Sequence, residues 1–252
     1  MKCTFCSRMR VVVLSMCLGL VAGTANAVPT LQLGITDGVY DLSSQTVIST
    51  SPSFSLYAFL MPDNNNLITD TYYLSMALTP QVFGPANLGS FTYNGNTVNA
   101  TSDMTYGTPP IDAFSSTHDY GDLAKHGVFP TYFKEIEFSF SSGDQSAVFD
   151  VQGNPGLGPQ PGTGMYFNLF DMDTSNLAGG YAIHFDLYNT KLCLNGIKGP
   201  CASNTDTDVT QYAPFSHDAQ SMTVIPEPET YAMLLAGLGL IGFTARRRKQ
   251  NT

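Results

Sequence analysis

Between residues 28 and 224 apolar side chains recur at every second position, and no stretch repeats them every three to four. Ile136, Phe138 and Phe140 alternate with Glu137 and Ser139. Tyr181, Ile183, Phe185 and Leu187 alternate with Ala182, His184, Asp186 and Tyr188. Phe54, Leu56 and Ala58 alternate with Ser55, Tyr57 and Phe59, and Tyr72, Leu74, Met76 and Leu78 with Tyr73, Ser75 and Ala77. A period of two in aromatic and branched residues predicts half-buried strands. Shorter candidates are 31–35, 91–93, 98–100, 147–151, 165–170 and 222–224. Between them lie turn-rich segments at 62–66, 84–89, 107–110 and 153–164, where Gly and Pro break helices and set turns. The expected fold is all-β: one antiparallel β-sandwich of jelly-roll type. The Pro/Gly run at 153–164 is a candidate boundary, but strand patterns of the same kind flank it, so 28–224 reads as one domain.

The two ends follow another pattern. Lys2, Arg8 and Arg10 precede an apolar run from Val11 to Ala22, and Ala25-Asn26-Ala27 supplies the small residues a signal peptidase admits. Residues 1–27 read as a secretory signal peptide cut after Ala27. The run makes only about 18 Å of helix against about 30 Å of hydrocarbon, which argues against a permanent anchor. Met16 before Cys17 is too large for a lipoprotein site. At the other end, Ile225-Pro226-Glu227-Pro228-Glu229 is polar and stiff, Tyr231–Phe243 is uncharged, and Arg246, Arg247, Arg248 and Lys249 follow at once. These cations would act as a stop-transfer signal and stay in the cytoplasm, leaving the main domain across the membrane. The expected transmembrane helix is short, about 24 Å from Thr230 to Ala245. That length suits a segment that pauses in the bilayer and is then cut.

These residues carry a resemblance. Val224 to Thr230, the apolar run and the Arg cluster resemble the PEP-CTERM sorting tail, with Pro226, Glu227 and Pro228 matching the namesake motif. The resemblance implies that residues 225–249 are recognised by an exosortase, a membrane cysteine protease-transpeptidase, and that the tail is substrate and holds no catalytic group.

With both ends removed, the charge balance changes. Only Lys125, Lys134, Lys191 and Lys198 remain against eighteen acids, a net charge of −14. Such a surface repels phosphate backbones, so nucleic acid is excluded as a partner. Divalent cations or neutral glycans suit it better. Two of the five cysteines remain, Cys193 and Cys201, separated by a stretch holding Gly196, Gly199 and Pro200. In an oxidising compartment they favour a disulfide closing a short loop. The alternative, a zinc site, lacks neighbouring His or further Cys.

The domain has a likeness of its own. Leu31-Gln32-Leu33, the strands at 54–60 and 72–78, His126-Gly127-Val128-Phe129-Pro130-Thr131-Tyr132-Phe133, His184-Phe185-Asp186-Leu187-Tyr188 and Ala213-Pro214-Phe215-Ser216-His217-Asp218-Ala219 resemble the choice-of-anchor N proteins. That family implies a surface location and no defined activity.

Several groups are candidates for chemistry. Asp171, Asp173 and Asn176 place oxygens at alternate positions, as calcium loops do, and Asn204 to Asp208 does likewise. Neither fits the EF-hand pattern, and Asp, Asn and Ser are also ordinary turn formers. His118-Asp119 and His217-Asp218 are pairs of the metal-binding or acid–base kind, yet nothing in their spacing brings the four histidines together. Glu135 and Glu137 share a strand face, as paired glycosidase carboxylates can, but two acids on a solvated face look the same. Tyr57, Tyr73 and Tyr188 lie opposite the apolar sets, where rings could stack on sugars; the competing reading is a second sheet face packed under loops. No nucleophile elbow, phosphate loop or His-Glu-x-x-His helix is present.

The sequence therefore predicts a non-enzymatic, exported bacterial protein, first membrane-inserted, then at the cell surface or in the extracellular matrix. Signal peptidase and exosortase process it. The domain is expected to be structural or adhesive, with extracellular polysaccharide as a candidate partner and no cofactor beyond calcium. The alternatives are a glycan- or calcium-binding module, and a secreted hydrolase.

Overall fold

Strands alternate with covering loops along almost the whole domain. The computed structural model describes residues 28–111, 123, 126–192, 207–223 and 236–238. In chain order the strands are β1 (Leu31–Ile35), β2 (Val39–Asp41), β3 (Thr46–Ile48), β4 (Ser53–Leu60), β5 (Tyr72–Thr79), β6 (Ser90–Tyr93) and β7 (Asn96–Asn99). They continue as β8 (Thr105–Gly107), β9 (Thr131–Phe138), β10 (Gln145–Ala147), β11 (Gly164–Asp173), β12 (Ala182–Leu192), β13 (Thr207–Tyr212) and β14 (Ala219–Gln220). The first sheet runs β1-β4-β11-β6-β7, with β10 on β11. The second runs β2-β3-β14-β12-β5-β9-β8, with β13 on β12.

The two sheets share one core. Leu31, Leu33, Ile35, Leu56 and Ala58 of the first join Leu74, Met76, Ile183, Phe185 and Leu187 of the second, each at most 1% exposed. Phe54 meets Phe185 edge-on at 6.0 Å, and Phe138 meets Phe170 at 5.2 Å, so rings from both sheets interlock. Full burial of each large side chain contributes roughly 1.5–3 kcal/mol.

The outward faces are covered as well. On the first sheet, Gln32 is fully buried; its Nε2 donates to the Phe149 carbonyl at 3.2 Å and its Oε1 accepts from Val151 N at 2.9 Å. The Pro/Gly run, a candidate boundary by sequence, wraps this face: Asp37 N donates to Gly156 O, and Ala147 N to Gln160 O. On the second sheet, Ala77, Phe133 and Tyr188 pack under Leu123 and Phe129. The sugar-stacking reading fails for Tyr188, which is fully buried and stacked on Tyr73 at 5.9 Å.

The long alternating segments form the strands expected of them. The sheets are antiparallel except between β3 and β14, which pair in parallel. The expected strand at 147–151 is only the end of β10; the chain then turns to cover Gln32. Residues 221–223 form no strand. The proposed calcium segment Asn204–Asp208 runs into β13, so its last two residues are strand backbone, and the rest lies outside the described residues. The signal peptide with Ala25 and Ala27, the Cys193–Cys201 pair, the Pro226-Glu227-Pro228 motif and the Arg246–Lys249 cluster also lie outside them. Among the described residues no helix is long and apolar enough to cross a membrane.

Two glycines separate conformational cost from steric cost. Gly95 sits with Asn94 in the β6–β7 turn, both at positive φ (76° and 46°), as a tight antiparallel hairpin requires. Gly89 also has positive φ, 80°, and a Cβ there would stand 2.0 Å from the Asn176 carbonyl oxygen. Gly95→Ala is expected to cost about 1 kcal/mol. Gly89→Ala should cost distinctly more, because backbone must move. Urea unfolding midpoints of the two variants check the order.

Candidate metal centre

Strand β12 turns Ile183, Phe185 and Leu187 into the shared core, so Ala182, His184, Asp186 and Tyr188 must point the other way. That second face is buried. Residues 126–130 lie over it, and the short 3₁₀ turn Phe215–His217 delivers Asp218 beside it. Pairing of β14 with β12, His184 opposite Gln220, sets the place of Asp218. His126 is held by rings: it stacks on Phe215 at 4.3 Å and meets Phe129 edge-on at 5.6 Å.

Four side chains converge as a result. His126 Nε2 lies 3.0 Å from His184 Nε2 and 3.1 Å from Asp186 Oδ1. His184 Nε2 lies 3.5 Å from Asp186 Oδ1 and 3.3 Å from Asp218 Oδ2. All four ligand atoms fall within 4.8 Å of one another. His184, Asp186 and Asp218 are 2–4% exposed. The outer oxygens, Asp186 Oδ2 and Asp218 Oδ1, are buried without a hydrogen-bond partner. A cavity of about 350 Å³, lined by Ser43, Thr46, Val128, Phe215 and Gln220 together with ligand residues, opens onto the cluster.

The electrostatics follow from burial opposed by pairing. Burial alone would depress His184, but the Asp186 charge and hydrogen bonds to both aspartates push it up to about 10. Burial would raise Asp186, yet His184 and His126 hold it down at about 2. For Asp218 burial wins, and its carboxyl lies above the ordinary range despite His184. A buried His/Asp set of this kind holds either protons or a cation, and among the described residues these four are the ones that could hold a metal.

The residues singled out by sequence fare differently. His217 and Asp218 diverge: His217 Nε2 pairs with Asp150 Oδ1 at 2.8 Å, and its Nδ1 lies 2.8 Å from Ser216 Oγ, while Asp218 faces His184. His118 and Asp119 lie outside the described residues. Asp171 and Asp173 share one face of β11, but Asp173 Oδ1 accepts from Ser175 N at 2.8 Å in a local turn and Ser55 Oγ donates to Asp171 at 3.4 Å. The Asn176 carbonyl accepts from Ser90 N. Glu137 is exposed, whereas Glu135 accepts from the Tyr188 hydroxyl and from Ile111 N. The cluster was missed because His126 lies 58 residues from His184. The available signal was local: His184 and Asp186 at alternate positions of an otherwise apolar strand.

Burial raises the Glu135 carboxyl above its ordinary value, against the hydrogen bonds from Tyr188 and Ile111. An acid with a raised folded pKa binds its proton more tightly when folded. Its contribution is therefore present at low pH and is lost as pH rises from the unfolded value through the folded one. Glu135→Gln should flatten this part of the stability–pH curve above pH 4.5. Tyr188→Phe should destabilise by roughly 1–3 kcal/mol near neutral pH, because the carboxylate loses its donor. Chemical unfolding of both variants across pH measures the two effects.

A protein-family model described as the PEP-CTERM protein-sorting motif matches residues 224–249. No curated protein and no solved structure matches the chain, and the comparisons do not confirm the choice-of-anchor N likeness. The chain thus ends in a PEP-CTERM sorting motif, the signal of an exported protein sorted by an exosortase to the cell surface.

Proposed function

We propose that the chain is a bacterial surface or extracellular-matrix protein whose C-terminal tail is cut by an exosortase. Residues 28–224, a jelly-roll-like sandwich, then remain outside in a structural or adhesive role without enzymatic activity. The observation that carries this reading is the sorting motif at residues 224–249. It directly follows the domain's last described residues: Met222 N donates to Ser49 Oγ at 2.9 Å, tying this part of the chain to the end of β3. The non-enzymatic part is supported by the two glutamates. One is tied to Tyr188 and the other is exposed opposite Tyr73, so their carboxylates do not converge on a cleft.

In a host that carries an exosortase, the surface form is expected to lack Arg246, Arg247, Arg248 and Lys249. Intact-mass measurement reads this directly, and any added group appears at the new end. Replacing Pro226, Glu227 and Pro228 by Ala should leave the cationic cluster on the chain and hold the protein in the membrane fraction. Retention of the cluster on the wild-type surface form refutes processing.

A further inference from the structure

We propose that His126, His184, Asp186 and Asp218 bind one Zn²⁺ that fastens the cover of the second sheet to β12. The argument starts from lone pairs. His184 Nε2 faces three acceptor-type atoms at 3.0, 3.3 and 3.5 Å, and His126 Nε2 faces two at 3.0 and 3.1 Å. Each Nε2 carries at most one proton. Protonating both crowds two N–H groups onto nitrogens 3.0 Å apart, and protonating one leaves close contacts without a hydrogen between them. A single cation at the centre accepts a lone pair from all four.

The spacing indicates which cation. Zinc–nitrogen and zinc–oxygen bonds of about 2.0–2.2 Å in a tetrahedron put ligand atoms roughly 3.3–3.6 Å apart. The four close edges here, 3.0–3.5 Å, lie near that value. Calcium wants six to eight oxygens at 2.3–2.6 Å, and magnesium prefers oxygen ligands in a near-ideal octahedron, so neither suits a ligand set half made of imidazole nitrogens. The absence of thiol from the set removes the pull toward soft ions. Two carboxylates neutralise the dication, which makes its burial tolerable. The partnerless Asp186 Oδ2 and Asp218 Oδ1 give each carboxylate freedom to adjust its grip. The 350 Å³ cavity provides the entry path, and the rings of Phe215 and Phe129 hold His126 in place. Four protein ligands close the coordination sphere, which assigns the ion a structural role. The proposal stands apart from the sorting reading and does not depend on it.

The test uses the full-length chain in detergent, stripped with chelator and titrated with zinc chloride against a chromophoric zinc indicator. One zinc per chain by elemental analysis is expected, with a melting temperature that climbs with zinc concentration. His184→Gln and Asp186→Asn should weaken binding by about 100-fold or more, since even changes to groups behind a metal's ligands cost 10–100-fold. Glu137→Gln, exposed and outside the cluster, should bind as wild type. Zinc uptake unchanged in His184→Gln and Asp186→Asn overturns the proposal, as does the lack of any zinc-dependent melting shift in wild type. Cobalt substitution covers the case of misfolded variants, because it is read on the wild-type chain. Strong visible bands of tetrahedral cobalt without thiolate charge transfer are expected. Weak six-coordinate bands, or thiolate charge transfer from the cysteines, overturn it.

Discussion

From Ala182 to Asn189, strand β12 has no face in water. It pairs with β5 over eight positions, and β13 and β14 share its other edge. One of its faces fills the core between the sheets, and the other lies beneath residues 126–130 and the 3₁₀ turn. Any polar group on this strand must therefore be satisfied inside the protein, since an unsatisfied one costs about 1–3 kcal/mol. Three solutions appear in succession along it. His184 and Asp186 enter the four-residue cluster. Tyr188 donates to Glu135 of β9. Asn189 Nδ2 donates to Asn66 Oδ1, and the Asn66 side chain is itself held by Asp63 Oδ1 at 3.2 Å. His184, Asp186 and Tyr188 make the second face of the sheet a polar seam under an aromatic cover.

That seam explains why the covering segments are rich in rings. A loop that lies on a sheet must exclude water from the polar groups beneath it, and flat aromatic side chains do so with few rotatable bonds. Phe129 packs on Phe133, Phe215 on His126 and on Tyr212, and Tyr73 on Tyr188. The first sheet follows the same plan with other parts. There Phe149 covers Phe59 at 5.1 Å, and Gln32 supplies the hydrogen bonds the descending loop needs. Most remaining acids serve loops. Asp41 is held at about 2 by hydrogen bonds from Ser43 and Ser44, and bonds from the backbone of Asn65 and Asn66, the Asn66 side chain and the Thr30 hydroxyl hold Asp63 low. A net charge of −14 is compatible with folding because these carboxylates organise turns in water instead of crowding together.

The alternation of Leu56, Ala58 and Leu60, or of Ile183, Phe185 and Leu187, made the long strands legible, because one face of each must be apolar. The short strands were not. Val39–Asp41 and Thr46–Ile48 flank a turn of Asp41, Ser43 and Ser44 and have too few residues to show a period. Ala219–Gln220 exists only because β12 and β3 flank it. The cluster was half legible. Strand geometry alone puts His184 and Asp186 on one face, but a two-residue signal looks like any solvated strand edge. What makes it a site is the cover, and the cover comes from segments distant in the chain, whose ends no local pattern fixes. Tyr188 misled for the same reason: a ring opposite an apolar set is exposed only if nothing lies on top.

The placement of the four groups also bears on how an exported chain would acquire its ion. The strand pair His184 and Asp186 is defined as soon as β12 forms. His126 and Asp218 arrive only when the cover closes, so the unfolded chain has no preformed site. In the zinc form, ion capture and closure of the cover are then one event. For a chain exported in this way it would follow translocation and draw on the metal of that compartment. Nitrogen and carboxylate ligands suit such a place better than thiolates, because they do not change with its redox state, whereas cysteines there are drawn into disulfides. A closure built on His and Asp stays available whatever becomes of Cys193 and Cys201. It acts on β12, the strand with the most to lose if the cover lifts.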